Sequence, residues 1–265
     1  MLNVDIIRSR FIRIIGNIVK LVSKLFHKIF PKKRFTLPSY SKPLIKTNNQ
    51  SNVPRIIWQT NFTNKVALPL YVNYLFNRFM APRYEYRFMD NDAVDKYIAE
   101  NHPEALSAYK KLTVGAAKAD LWRLLAIYKN GGLYIDMDGC LVARPENFLK
   151  DKNETFIKAK HRKETDESKK YYATNYFFAA APNNSKIKEY IDIILKNIEA
   201  NRSDLGIWYL TGPGVMEAIM NDENTTFRHS RETCIQGAFT NDYFQYIDRP
   251  NAHWTKTENK DILES

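Results

Sequence analysis

Cysteine is scarce in this 265-residue chain, which has only Cys140 and Cys234. Two distant cysteines fit no zinc spacing and no disulfide framework. At most one bridge could form, and the expectation is reduced thiols in a cytosolic protein. Acidic residues are nearly missing from the first 34 positions, where Asp5 stands against nine Lys or Arg, a net +8 of the chain's +11. The rest of the chain is close to neutral, so the basic character belongs to a tail and not to a whole surface. No apolar run in that tail escapes interruption by charge, which excludes a bilayer-spanning helix there. The broken apolar core and the lack of a small-residue cleavage site also argue against a secretory leader. No internal repeat is visible. Core-forming residues are not lacking: the chain is 44% hydrophobic and 13% aromatic. That excludes global disorder and suits one substantial domain with an appendage.

Within residues 1–34, Ile7, Phe11, Ile14, Ile18, Leu21 and Leu25 recur at helical steps, with Lys and Arg on the opposite side. Pro31 marks the end of this predicted helix. The pattern is that of an amphipathic helix lying on an anionic membrane surface. A second reading docks the helix on its own domain or on a partner subunit. A nucleic-acid arm would need no continuous apolar face, so no nucleic-acid partner is expected. Residues 35–52, with Pro38, Pro43, Asn48 and Asn49, predict a polar linker before a globular domain at 53–265. A chain starting near Ser51 is then expected to fold without the tail.

In that domain Val53–Trp58, Tyr84–Met89 and Leu133–Met137 read as strands. Leu68–Phe79, Ala93–Glu100 and Val114–Lys129 read as helices, with Asp92 as a cap. Alternation of the two predicts an α/β domain with a largely parallel sheet. Asp136-Met137-Asp138 falls where the third strand runs out. Side chains at i and i+2 of a strand face the same way, so two carboxylates converge where open α/β sheets bind ligands. Paired carboxylates suit a hard divalent cation, manganese or magnesium, which in turn suits a diphosphate. Upstream, Asp120 and Arg123 are three apart on one helix face. They form either a surface ion pair or a cleft pair that holds sugar hydroxyls and phosphate oxygens.

The run from Ala119 to Asp138, A-D-L-W-R-x-L-x-x-Y-x-x-G-G-x-Y-x-D-x-D, resembles the signature of the glycosyltransferases with a D-x-D sugar-binding region. That family includes the yeast initiating α-1,6-mannosyltransferase and bacterial capsule and lipooligosaccharide transferases. Val53–Thr60 is similar to its opening strand, Thr211-Gly212-Pro213 to a later turn and His253-Trp254 to its terminal region. Trp58 stands where the family has His, and the family's terminal Ser-Trp pair is not evident.

The resemblance implies a GT-A (Rossmann-like) catalytic domain over 53–265. It implies a UDP- or GDP-sugar donor, manganese or magnesium, and retention of anomeric configuration. The acceptor would be a glycan or lipid-linked saccharide; the basic tail and the reduced cysteines put the expected place at the inner face of the membrane, in the cytoplasm. Residue by residue, it implies Trp58 stacked on the base, Tyr134 lining the nucleotide pocket and Asn175 beside the transferred sugar. Asp136, Asp138 and His253 would be metal ligands, with Asp136 also meeting the nucleotide. Two rivals remain. Asp136 and Asp138 also fit the nucleophile and acid/base of haloacid dehalogenase-like phosphatases. A non-enzymatic membrane adaptor would account for the tail alone.

Overall fold

The structure is a computed structural model that describes residues 4–160, 171–219, 225 and 227–264. Its strands are β1 (Phe35–Thr36), β2 (Tyr40–Ser41), β3 (Ile56–Thr60), β4 (Lys65–Val66), β5 (Glu85–Met89), β6 (Gly132–Ile135), β7 (Gly139–Leu141), β8 (Glu154–Lys160), β9 (Tyr171–Ala180), β10 (Phe227–His229) and β11 (Cys234–Gln236). Its longer helices are α1 (Val4–Ile29), α2 (Leu68–Met80), α3 (Asn91–Asn101), α4 (Leu106–Lys111), α5 (Gly115–Asn130), then, after the four-residue α6 (Glu146–Leu149), α7 (Ser185–Glu199). The short helices α8 (Gly206–Leu210), α9 (Pro213–Ile219), α10 (Ser230–Thr233) and α11 (Asp242–Gln245) follow.

The α/β class is as expected. The central sheet has the order β10-β8-β9-β6-β3-β5-β2. It is mixed but largely parallel: β10, β8, β6, β3 and β5 run one way, and β9 and β2 the other. β3 pairs in parallel with β5 and β6, and β10 with β8, whereas β9 runs antiparallel to both β6 and β8. A parallel return needs a crossover of a dozen residues or more, usually helical. Between β6 and β9 the described residues supply β7, α6 and β8, and β9 returns from β8 as its antiparallel neighbour. Strand side chains alternate between faces. Ile57, Leu133 and Phe177 therefore enter the core on the α2 side, and Trp58, Tyr134 and Phe178 the core shared with α5 and α7.

Helix ends follow local chemistry. α3 is capped by Asp90, whose side chain accepts from the Ala93 amide, and not by Asp92, which lies in the first turn. α5 stops at Gly131, with φ +66°, where a Cβ would meet Pro54 and Pro182 at 2.6 and 2.8 Å. That stop delivers β6 into the sheet and the carboxylates to its end.

The N-terminal 50 residues are less detachable than expected. β2, inside the expected linker, is the sheet's edge strand on β5, and β1 pairs with β4. Residues 1–3 of the expected helix lie outside the described residues. From Val4 the helix is present and packs on the domain. Ile12 is buried with Cys140, Val142, Ile235 and Phe239, and Arg34 makes two bonds of 2.7 and 2.6 Å to Asp248. Removal up to Ser51 would uncover this cluster and strip an edge strand.

Candidate active site

Asp136 and Asp138 lie not on a strand but in the turn between β6 and β7. The strand ends at Ile135, and the Gly139 amide donates to the Asp136 carbonyl at 2.8 Å, closing the turn. The turn opens on a cleft of about 660 Å³, also lined by Asp120, Arg123, Tyr134, Asn175 and His253.

Buried side-chain amides hold the turn. Gln59 Nε2 donates to the Ile135 and Asp136 carbonyls at 3.1 and 3.0 Å. Asn73 Nδ2 donates to Met137 O at 2.9 Å and Gly139 O at 2.8 Å. Asn77 Nδ2 donates to Gly139 O at 2.8 Å, and its Oδ1 accepts from the Leu141 amide at 2.9 Å. Sequence reasoning passed over these three. For Asn73 and Asn77 the readable signal is a pair of amides four apart on a mostly apolar helix, since a buried polar group needs a partner.

Asp120 and Arg123 are no surface pair, being 6% and 5% exposed. Arg123 bonds Asp120 at 2.9 Å and the Asn175 carbonyl at 2.8 Å, and reaches Asp136 at 3.2 Å. Asp120 also accepts from Asn175 Nδ2 and from Thr211 Oγ1, both at 2.9 Å. Tyr134 donates its hydroxyl to Asp136 Oδ1 at 2.6 Å, under the Arg123 guanidinium at 4.4 Å from its ring centre. One network thus joins four of the expected residues, Asp120, Arg123, Tyr134 and Asp136, with Asn175 attached.

Desolvation by burial pushes the Asp120 carboxyl up to about 6, against the opposing pull of Arg123. Burial disfavours the Arg123 charge, yet Tyr134, Asp136 and Asp120 together raise its pKa above the ordinary value. Asp138 is half-buried and is pushed up to about 7, by desolvation first and by Asp136 second, with Asp242 adding to it. Asp136 and Asp138, with Asp138 resisting ionisation beside Asp136, are a pair of oxygen donors that a hard cation would satisfy. Such cations commonly take one or two protein carboxylates and complete their shell with phosphate oxygens and water.

Two residues are placed otherwise than the resemblance implies. Trp58 is 1% exposed, donates to the Gly131 carbonyl at 3.0 Å and packs edge-on against Trp122, so it does not line the cleft. It occupies the core because strand alternation turns it to the α5 side. Phe62, Trp208, Tyr246 and Trp254 are aromatics that do line it. His253 lies in the cleft wall, packed on Tyr246 at 5.2 Å, its Nδ1 paired with Thr255 Oγ1 at 2.7 Å. Among the described residues no group of three or more His, Cys, Asp or Glu is gathered closely enough for a metal ion, so His253 is not brought to the carboxylates as a third ligand. Its ring instead caps the turn at Trp254–Lys256.

Residues 41–156 match the family model described as a glycosyltransferase sugar-binding region containing a DXD motif. The match covers less than half of the chain, and over it the chain is similar to that glycosyltransferase family. A mannosyltransferase is among its relatives: inositol phosphoceramide mannosyltransferase 3 of Schizosaccharomyces pombe is 31% identical over 97 residues, 36% of this chain and 27% of that protein. An uncharacterised glycosyltransferase of Acanthamoeba polyphaga mimivirus is 30% identical over 89 residues, 32% of this chain and 36% of that one. The chain thus spans only about a quarter to a third of these relatives. Among solved structures, the PaToxG glycosyltransferase is similar with a TM-score of 0.46 and 16% identity, over 82% of this chain and 80% of that one. The UDP-bound glycosyltransferase domain of the YGT toxin is similar with a TM-score of 0.37 and 13% identity, over 58% and 54%.

Proposed function

We propose that the chain is a metal-dependent, retaining hexosyltransferase. It moves a sugar from a UDP- or GDP-sugar to a glycan or lipid-linked saccharide. The observation that carries this reading is the turn that sets Asp136 and Asp138 close together at a cleft. Asp136 and Asp138 would hold manganese or magnesium, which neutralises charge on the departing nucleoside diphosphate. Asp120 keeps acceptor capacity toward sugar hydroxyls. Arg123 and Tyr134 fix Asp120 and Asp136, so the donor meets a preorganised wall. The bond from the anomeric carbon to diphosphate breaks as the acceptor oxygen attacks from the same face, and the acceptor proton passes to the diphosphate. The phosphatase alternative needs Asp136 as a mobile nucleophile, whereas Tyr134 and Arg123 both hold its Oδ1. A screen of UDP- and GDP-sugars with manganese tests the reading, by turnover and by thermal shift, because a ligand stabilises by mass action. No stabilisation and no turnover with any donor would sink it.

Membrane attachment on the inner face belongs to the same reading. No described helix is long and apolar enough to cross a membrane. α1 docks by its Ser9, Ile12, Gly16 and Ser23 face and turns Phe11, Ile14, Ile18, Leu21 and Leu25 outward. Leu75 and Phe79 of α2 are exposed as well, one turn from the Val72 and Phe76 that pack on α1. An outward apolar stripe with a basic flank fits the acyl boundary of an anionic leaflet. The full chain is expected to sediment with anionic vesicles. A triple change of Ile14, Ile18 and Leu25 to Glu is expected to stay folded and remain in the supernatant. Equal sedimentation of both would remove the membrane role.

A further inference from the structure

α1 has a second set of contacts that membrane attachment does not use. At Gly16 the helix backbone lies so close to the loop after β11 that a Cβ would sit 2.0 Å from the Ala238 carbonyl oxygen. Lys20 Nζ donates to the Gly237 carbonyl at 3.2 Å, and Arg13 to that of Gln236 at 3.5 Å. The far side of this loop holds Asp138. Gln236 Nε2 donates to Asp138 Oδ1 at 3.2 Å, and the Gly237 amide donates to the Asp138 carbonyl at 3.0 Å. A second route runs through α2. Ile15 and Val19 of α1 pack in one cluster with Val72 and Phe76, the neighbours in sequence of Asn73 and Asn77, whose amides hold Met137 and Gly139. Both supports of the carboxylate turn thus have α1 at their back.

We propose that α1 is a positioning element of the active site, with Gly16 and Lys20 setting the place of Asp138 through the Gln236–Ala238 loop. For the role of Asp138 this rests on the glycosyltransferase reading above. The physical reason is geometric. A hard cation of the magnesium kind tolerates little error in ligand placement, and side-chain ligands hold position only as well as their supports do. A helix backbone pressed on a loop at a glycine is a stiff support, because packed interiors transmit displacement instead of absorbing it. A methyl group at Gly16 must push either the helix or the loop aside.

The test uses the full chain with Gly16→Ala, and Asn17→Ala as the exposed control on the same helix. The first readout is amide hydrogen exchange at Gly237 and Leu141, whose N–H groups bond Asp138 O and Asn77 Oδ1. Gly16→Ala is expected to speed both by roughly tenfold or more while β5 amides exchange as in the wild type. The second readout is the manganese midpoint of donor hydrolysis, expected to rise at least about threefold, as for lost supports of metal ligands. Asn17→Ala should leave both unchanged. Wild-type exchange and a wild-type midpoint in folded Gly16→Ala would overturn the proposal. Should Gly16→Ala not fold, Lys20→Met takes its place. It is expected to speed exchange at Gly237, with recovery in Lys20→Arg, and unchanged exchange in Lys20→Met overturns the proposal equally. A wild-type chain that turns over no nucleotide sugar removes the glycosyltransferase reading instead, and exchange still decides the role of α1.

Discussion

Asp138→Ala is expected to abolish sugar transfer, with turnover down by roughly a thousandfold or more, while the apo protein unfolds at the wild-type temperature or slightly above it. The two halves of this expectation have separate causes. Asp138 contributes little to the fold, since its carboxylate accepts from Gln236 at 3.2 Å and from its own backbone amide but is desolvated and faces the repulsion of Asp136 and Asp242. Its pKa, pushed up to about 7 by desolvation and by Asp136, means that ionising it costs the folded state. Alanine removes that cost. On the proposed function, activity falls because one of the two proposed hard ligands is gone, and with it the proposed anchor for the diphosphate. Melting curves with and without manganese, run beside turnover at limiting manganese, check both halves. A folded variant with near wild-type turnover would show that Asp138 holds no metal.

Much of this site is legible in the residues and some of it is not, for identifiable reasons. The Asp120 and Arg123 pair can be read because the helix period places side chains without knowledge of the fold, and the Asp136 and Asp138 pair because it falls where a short apolar strand runs out. The boundary between α5 and β6 is also marked, by Gly131 and Gly132 at positive φ. What periodicity does not supply is which face a packed partner covers. α1 shows this. Its apolar stripe predicts a buried or lipid-facing side, yet the docked side is the small and polar one, with Ser9, Gly16 and Ser23. Close backbone approach at Gly16, not apolar area, seats the helix. Trp58 shows the same limit in a strand. Motif position suggests a ligand contact, but alternation in β3 sends its ring toward Trp122 and leaves Gln59 under the carboxylate turn. β8 escaped notice because its pairing with β9 is a long-range fact that no local signal encodes.

Arg123→Ala and Asp120→Asn are expected to separate a structural charge from a working one. From the sequence both positions look dispensable for stability, and burial changes that for the arginine. Arg123 is the guanidinium that meets both Asp120 and Asp136, and it also bonds the Asn175 carbonyl. Its removal leaves two carboxylates without that partner, in a setting where breaking a buried pair costs about 3–5 kcal/mol. Arg123→Ala should therefore lose stability and activity together. Asp120→Asn keeps the shape of the side chain. Its oxygen can still accept from Asn175, and the Thr211 hydroxyl can rotate to accept from the new amide. Near neutral pH the variant should be at least as stable as the wild type, while kcat/KM drops by about a hundredfold, the scale of losing one preorganised charged contact.

The pH dependence of stability gives the sharper check. Asp120 titrates near 6 in the fold, above its ordinary 3.8, so the folded state holds its proton more tightly than the unfolded chain. That contribution to stability is complete below 3.8 and is lost as pH rises through about 6. In urea titrations the wild type should lose stability over this window relative to Asp120→Asn, which has no proton to release. Parallel curves for the two proteins, or wild-type kcat/KM in Asp120→Asn, would place Asp120 outside both the titration and the chemistry.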